Sequence, residues 1–153
     1  MGYTHYFPDL RATVEVIGDA AKIIGAAGVT ICGPKGDGLP MMSEAEGIRL
    51  NGFGAAGEAY ETFHLRGTKE PTYPGMTAFC TTGKKPYDNV VTAILIAAAV
   101  RSFGSSTQVV ASDGRWDNWS AGVHLFESAV GPLTDDDKLA LELDVERMRP
   151  DPF

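Results

Sequence analysis

Tyr87-Asp-Asn-Val-Val-Thr-Ala-Ile-Leu-Ile-Ala-Ala-Ala-Val-Arg-Ser-Phe103 is apolar almost all the way round a helix, and that decides the fold. A helix without a polar face must be covered on every side, so this stretch predicts a buried central helix with the rest of the chain laid around it. Its apolar run, residues 90–100 with Thr92 inside it, is about half of the ~20 residues that a bilayer span needs. Pro86 suits the first turn, where a missing N–H costs nothing, and Gly104 stops the helix.

Outward from that helix, short alternating segments read as strands. Gly2-Tyr-Thr-His-Tyr-Phe7 is aromatic and β-branched and is stopped by Pro8. On alternation Tyr3, His5 and Phe7 share one face, and Thr4 and Tyr6 the other. Asp9 is placed to cap a helix that carries Leu10, Val14, Ile17, Ala21 and Ile24 at helical spacing and ends in Gly25 and Gly28. Residues 29–32 read as a second strand, and the Gly- and Pro-bearing stretch 33–46 as an irregular loop. Residues 48–51 and 60–65 alternate and pair as an antiparallel hairpin across turn material at 54–57.

Residues 77–81 and 107–111 add two brief strands, the second running into the turn Ser112-Asp-Gly114. Trp116, Trp119, Val123, Phe126 and Val130 mark an amphipathic helix ended by Gly131-Pro132. Together these elements predict an α+β fold: a single-layer, mostly antiparallel sheet of about five strands packed against three or four helices. One domain fills residues 1–131. Residues 132–153 form an acidic C-terminal tail with a short helix, whose Leu139, Leu143 and Val145 pack on the domain or on a second subunit.

The 153 residues, 44% apolar and 22% charged, have ordinary globular composition and one domain's length. A net charge of −7 repels nucleic acid, and Lys84-Lys85 is the one dense basic cluster, so direct nucleic-acid binding is not expected. Cys32 and Cys80 lie far apart and the opening Met-Gly-Tyr-Thr-His-Tyr has no leader character, which points to a reducing cytoplasmic setting with free thiols and to no membrane partner.

The chemistry concentrates in Phe79-Cys-Thr-Thr-Gly-Lys-Lys-Pro-Tyr-Asp88, at the mouth of the central helix. A helix start offers unpaired N–H groups and about half a positive charge. Thr81, Thr82, Lys84 and Lys85 beside it have the makings of an anion cradle. It is no Walker A loop: Ala78 stands five before Gly83, and Lys85 occupies the Ser/Thr position. The plainer alternative has Thr82 or Asp88 capping the helix while both lysines are solvated.

Four other positions complete the candidate set. His5 suits a ligand contact, a general base or a hydrogen bond within the sheet. Asp113, with Ser112, is presented at a sheet edge to meet a ribose or base edge, or else caps the next helix. Asn51 recognises a ligand or fastens the adjoining loop. A cysteine nucleophile would combine Cys80 with His5 or His64 and with Asp88 or Asp113, but no local pattern marks it. His5, His64 and His124 lack metal-ligand spacing, so neither metal nor cofactor is called for, and His124 reads as structural.

The chain resembles a family of small phage and prophage proteins that open with Gly-Tyr-Thr-His-Tyr-Trp. Here the opening is Gly2-Tyr-Thr-His-Tyr-Phe7, and matching stretches follow at Leu50-Asn-Gly52, Glu61-Thr-Phe63, Phe79 to Asp88, and Ser112-Asp-Gly114 with Trp116 and Trp119. The likeness spans residues 2 to 131. Thr81 departs from the family's Lys and removes one charge from the cradle. The family carries no settled biochemistry, but the resemblance implies a counter-defence protein of an infected or lysogenic bacterium. Such a protein sequesters a nucleotide-like host immune signal without a catalytic residue, and does so as a homo-oligomer. Tyr3, Tyr6 and Tyr87 would stack on bases, Lys84 and Lys85 would hold phosphate, Asp113 or Asn51 would meet edges, and Thr4 and Ser112 would line the same pocket. The alternatives are an enzyme acting on such a nucleotide and an inhibitor that binds a host protein.

Overall fold

A computed structural model describes residues 2–8, 10–71, 78–102 and 110–147. The fold is α+β. In chain order the elements are β1 (Thr4–Tyr6), α1 (Val14–Ala26), β2 (Ile31–Cys32), β3 (Met41–Ser43), β4 (Gly47–Gly52), β5 (Phe63–Leu65), β6 (Phe79–Thr81), α2 (Asp88–Ser102), β7 (Ala111–Ser112), α3 (Ser120–Ala129) and α4 (Asp135–Val145). Short 3₁₀ turns at Gly54–Ala56 and Trp116–Trp119 complete the set.

The predicted central helix is there. Every residue of α2 from Val90 to Ala99 is buried, with α1 and α3 packed along it. Ile94, Leu95 and Ile96 are fully buried, each worth about 1.5–3 kcal/mol of hydrophobic transfer. At the far end Arg101 grips the buried Asp19 of α1 with two hydrogen bonds, 2.8 and 3.2 Å. That carboxylate explains why the apolar spacing misjudged α1. The helix is capped by Thr13, whose hydroxyl accepts from Val16 N–H at 3.2 Å, and it buries Val16, Asp19, Ala20 and Ile23. Val14 and Ala21 lie outside, because a polar residue sits in the middle of the inner face.

The sheet expectation needs correcting. The strands are antiparallel throughout, but they form two sheets among the described residues instead of one of about five strands. The first runs β6-β1-β7, with His5 opposite both Cys80 and Ser112. The second is built on β4, which pairs with β2, β3 and β5. The expected 48–51/60–65 hairpin appears as Leu50 opposite Phe63 and Ile48 opposite Leu65. β3 was missed inside the Gly-rich loop. Its three residues are only half-buried and carry no alternating apolar signal. Glu61 joins the sheets: its N–H donates to the Thr81 carbonyl and its carboxylate accepts from Thr81 N–H at 2.9 Å.

α4 packs on the domain through Leu141 and Val145, both fully buried, whereas Leu139 and Leu143 are 58% and 66% exposed. Two leucine stripes lie side by side on this helix, and the packed one is not the pair that spacing picked out. The cap at Asp9, the strand starts at Thr77 and at 107–109, the helix end at Phe103 and Gly104, and residues 148–153 lie outside the described residues. Among the described residues no helix is long and apolar enough to cross a membrane.

Two glycines in helices separate backbone preference from packing. A Cβ on Gly122 of α3 would come within 2.0 Å of Thr92 Oγ1 on α2, whereas a Cβ on Gly18 of α1 would meet nothing within 4 Å. Gly18→Ala should therefore raise stability by roughly 0.5–1 kcal/mol. Gly122→Ala should lower it by about 1–3 kcal/mol through overpacking. Urea midpoints of the two variants check the opposite signs.

Candidate functional site

β1 is the middle strand of its sheet, so its inward side chains are sealed between the sheet and the helices. His5 is fully buried, and a chain of hydrogen bonds runs through it. Its Nδ1 lies 2.9 Å from Ser112 Oγ on β7, and its Nε2 lies 2.7 Å from Asp88 Oδ1 in the first turn of α2. Ser112 Oγ also accepts from Gly114 N–H at 3.0 Å and from Trp119 Nε1–H at 3.3 Å. The Tyr3 phenol bonds the same hydroxyl, so Ser112 Oγ gathers four polar partners around it. A carboxylate only accepts, so the hydrogen between His5 and Asp88 lies on Nε2. Tyr3 and Trp119 meet the ring edge-on, with centroids 5.0 and 5.1 Å away.

Asp88 Oδ1 takes a second hydrogen bond, from the buried Thr82 hydroxyl at 2.6 Å. Among the described residues the Asp88 carboxylate is thus held by side chains and caps no backbone group. Between Thr82 and Asp88 the chain turns outward through Gly83 and Lys84, both in the left-handed region, with φ of 60° and 59°. Lys84 is the single non-Gly residue with positive φ among the described residues. Holding a Cβ there costs roughly 1–2 kcal/mol. The turn swings Lys84 so that its ammonium lies 4.9 Å above the Tyr3 ring. Lys84, Lys85, Tyr3, Pro86, Asp88, Asn89 and Asn118 line a hollow of about 210 Å³.

The structure therefore brings Lys84, Lys85 and Asp88 to one hollow, buries Thr4, His5, Asn51, Thr82, Tyr87 and Ser112, and leaves Tyr6 and Thr81 half-buried and Asp113 exposed. Thr82, His5 and Ser112 form the sealed layer behind it. The Tyr87 ring is 1% exposed, so it cannot stack on a base; its hydroxyl donates to the Glu61 carbonyl at 2.6 Å. Thr4 and Thr81 hydroxyls bond each other at 2.7 Å across the β1–β6 pair. Asp113 accepts from Thr4 N–H and from the Tyr6 hydroxyl, both at 3.1 Å, and so continues the β1–β7 ladder with its side chain. Asn51 fastens loops: it accepts from Gly52 and Tyr60 N–H and donates to the Pro34 and Tyr60 carbonyls. Asn51 thus fulfils the second of its expected roles and Tyr87 is sealed in the core, while Asp113 stays exposed at the sheet edge.

Asn89 and Asn118 were not singled out by the sequence reading. Asn89 adjoins Asp88, and Asn118 arrives from the 3₁₀ turn, where its Oδ1 accepts Arg115 N–H at 2.8 Å. The legible signal was weak: an Asn three residues into the Trp116 segment, which also suits a cap.

The nucleophile alternatives lose their chemistry. Cys80 is fully buried, and desolvation, with Glu61 and Asp88 nearby, pushes its thiol up to about 12. Burial and the Asp88 carboxylate likewise push the Tyr3 phenol up to about 12. His64 is bound to Glu70 at 2.9 Å, and His124 is exposed on α3 instead of structural. Among the described residues no three His, Cys, Asp or Glu side chains come together to hold a metal ion.

His5→Ala would leave Asp88 and Ser112 buried without their central partner and should destabilise the protein by roughly 2–5 kcal/mol, read by urea unfolding. Iodoacetamide at pH 8 should leave Cys80 unlabelled in the folded protein and label it on denaturation, since a thiol held near 12 supplies almost no thiolate there. No family model, curated protein or solved structure matches the chain.

Proposed function

We propose that this protein binds a phosphate-bearing, nucleotide-like small molecule at the hollow beside the α2 N-terminus and sequesters it. The observation that carries this reading is the pairing of Lys84 and Lys85 on one hollow whose inner wall offers no reachable nucleophile. Two ammonium groups beside a helix start supply the donors and the positive field that a phosphate requires. The left-handed backbone at Lys84 supports it as well, because a cation held at a conformational cost is kept for a purpose beyond the turn.

The binding reading takes precedence over a hydrolase. Ser112 and His5 resemble parts of a nucleophilic triad, yet both are fully buried and their hydrogen-bonding capacity is filled. The resemblance to phage proteins extends the proposal: the ligand is a host immune signal, met in the cytoplasm of an infected bacterium. The homo-oligomer belongs to the same proposal, with the exposed Leu139 and Leu143 as its apolar contact.

Purified protein mixed with ribonucleoside mono-, di- and triphosphates and cyclic dinucleotides, then filtered, should deplete at least one of them. Heat denaturation should release that nucleotide unchanged. A chemically altered product would replace sequestration by catalysis, and no depletion at all would sink the ligand reading in favour of a protein partner. Lys85→Ala and Lys84→Ala should each weaken binding of the depleted nucleotide by roughly 1.5–3 kcal/mol in calorimetry. Fold stability should move by no more than about 0.5 kcal/mol, because both substitutions are at the surface.

A further inference from the structure

We propose that Asp88 makes the hollow selective for ribose phosphates, its outer carboxylate oxygen accepting the 2′-hydroxyl while Lys84 and Lys85 hold the phosphate. The inference rests on the phosphate reading above and adds the part of the ligand that is read.

Asp88 stands where a simple anion cradle should have no carboxylate. Its side chain is nine-tenths buried, at 10% exposure, and Oδ1 is fully engaged from behind by His5 and Thr82. Oδ2 accepts no hydrogen bond from the described residues. It is not sealed off either, because Arg66 Nε is the single buried side-chain N or O atom without a partner among those residues. Oδ2 is therefore open to solvent, and Asp88 is one of the residues that line the hollow. Neither lysine neutralises it: among the described residues its ion-pair partner is His5 alone.

A fixed carboxylate oxygen next to two ammonium groups sorts ligands. It repels a bare phosphate oxygen and rewards a hydroxyl donor placed beside the phosphate. Ribose supplies that donor across the sugar ring from a 5′-phosphate, and dinucleotide-binding folds place an acidic side chain on the same 2′-hydroxyl. The other polar group at the rim fits the same ligand. Asn118 has its Oδ1 committed to Arg115, which leaves its NH₂ to donate to the phosphate or the ring oxygen.

Size restricts the contact further. Sites that enclose a whole drug-sized molecule run to about 300–1,000 Å³. At about 210 Å³ this hollow seats the sugar and its phosphate and leaves the base outside. No aromatic face waits for the base, since Lys84 already covers the Tyr3 ring. The reading is thus ribose-selective and indifferent to the base. His5 is the positioning residue, because it fixes the carboxylate plane from behind.

Calorimetry with adenosine, 2′-deoxyadenosine and uridine 5′-monophosphates tests this, with inorganic phosphate as the reference probe. Adenosine and uridine monophosphates should bind within about threefold of each other. The deoxy compound should bind at least ~10-fold more weakly, the loss of one charge-assisted hydrogen bond. Asp88→Asn keeps an amide oxygen for His5 and Thr82 and turns the outer atom from acceptor to donor. It should abolish the ribose preference while leaving inorganic phosphate bound at least as well as before. Equal binding of ribo and deoxy compounds by the native protein overturns the inference, as does a preference that survives Asp88→Asn. Should that variant fail to fold, the native comparison alone decides. Phosphate bound without sugar preference sinks only this inference, whereas no binding of any phosphate probe sinks the ligand reading beneath it.

Discussion

The hydrogen-bond chain Ser112–His5–Asp88–Thr82 is the constraint on which the rest of the structure depends. It links the middle strand of one sheet to its neighbour β7, to the first turn of the central helix, and to the loop that enters that helix. Buried polar groups are tolerable only when each finds its partners, and in a low-dielectric interior such a chain contributes far more than its members would in water. Here Ser112, His5, Thr82 and the inner oxygen of Asp88 are all paired. Ser112 receives Gly114 and Trp119 and pairs with His5 Nδ1, and His5 in turn meets Asp88 through Nε2. The same completeness that rigidifies the site removes its nucleophiles from use. A hydroxyl with all its valences taken and no exposure cannot attack a substrate.

The chain also explains how one short segment is both scaffold and binding surface. From Thr81 to Asp88 the side chains divide by direction. Thr82, Tyr87 and Asp88 turn inward to His5 and Glu61, while Gly83, Lys84 and Lys85 bulge out through two consecutive left-handed residues. The inward trio anchors both ends of the turn, and the anchored ends hold Lys84 in a conformation that a free loop would leave. The cations are therefore delivered at fixed positions, which lowers the ordering entropy that two long side chains on a mobile loop would cost.

Much of this was legible in the sequence, and what was not has a common cause. Burial of α2 followed from apolarity on all sides, and the inward face of β1 followed from alternation; His5, Phe7 and Tyr3 do point into the protein. The hairpin of β4 and β5 was legible for the same reason. Patterns of polarity report which surface is buried but not which polar atoms meet there. Asp19 broke the pattern of α1 because it is paired with an arginine 82 residues away. Asn51 and Tyr87 looked like ligand contacts because a polar group on a half-buried strand or helix start has the same sequence signature whether its partner is a ligand or a backbone group. β3 escaped because three half-buried residues carry no period.

Net charge illustrates the same limit from the other side. A chain at −7 repels anions at a distance, and composition alone argues against a phosphate ligand. Screening at physiological ionic strength confines that field to about 8 Å, so the charges that decide binding are those lining the hollow. There two lysines face one carboxylate, and the carboxylate is held from behind by an imidazole that is itself held by a serine. Deleting Asp88 from such a site would make it more cationic and also undo the chain that builds it. A pure anion cradle would gain nothing from that dependence. A site that has to recognise a hydroxyl beside a phosphate uses the same carboxylate twice, once to hold the helix and once to read the ligand.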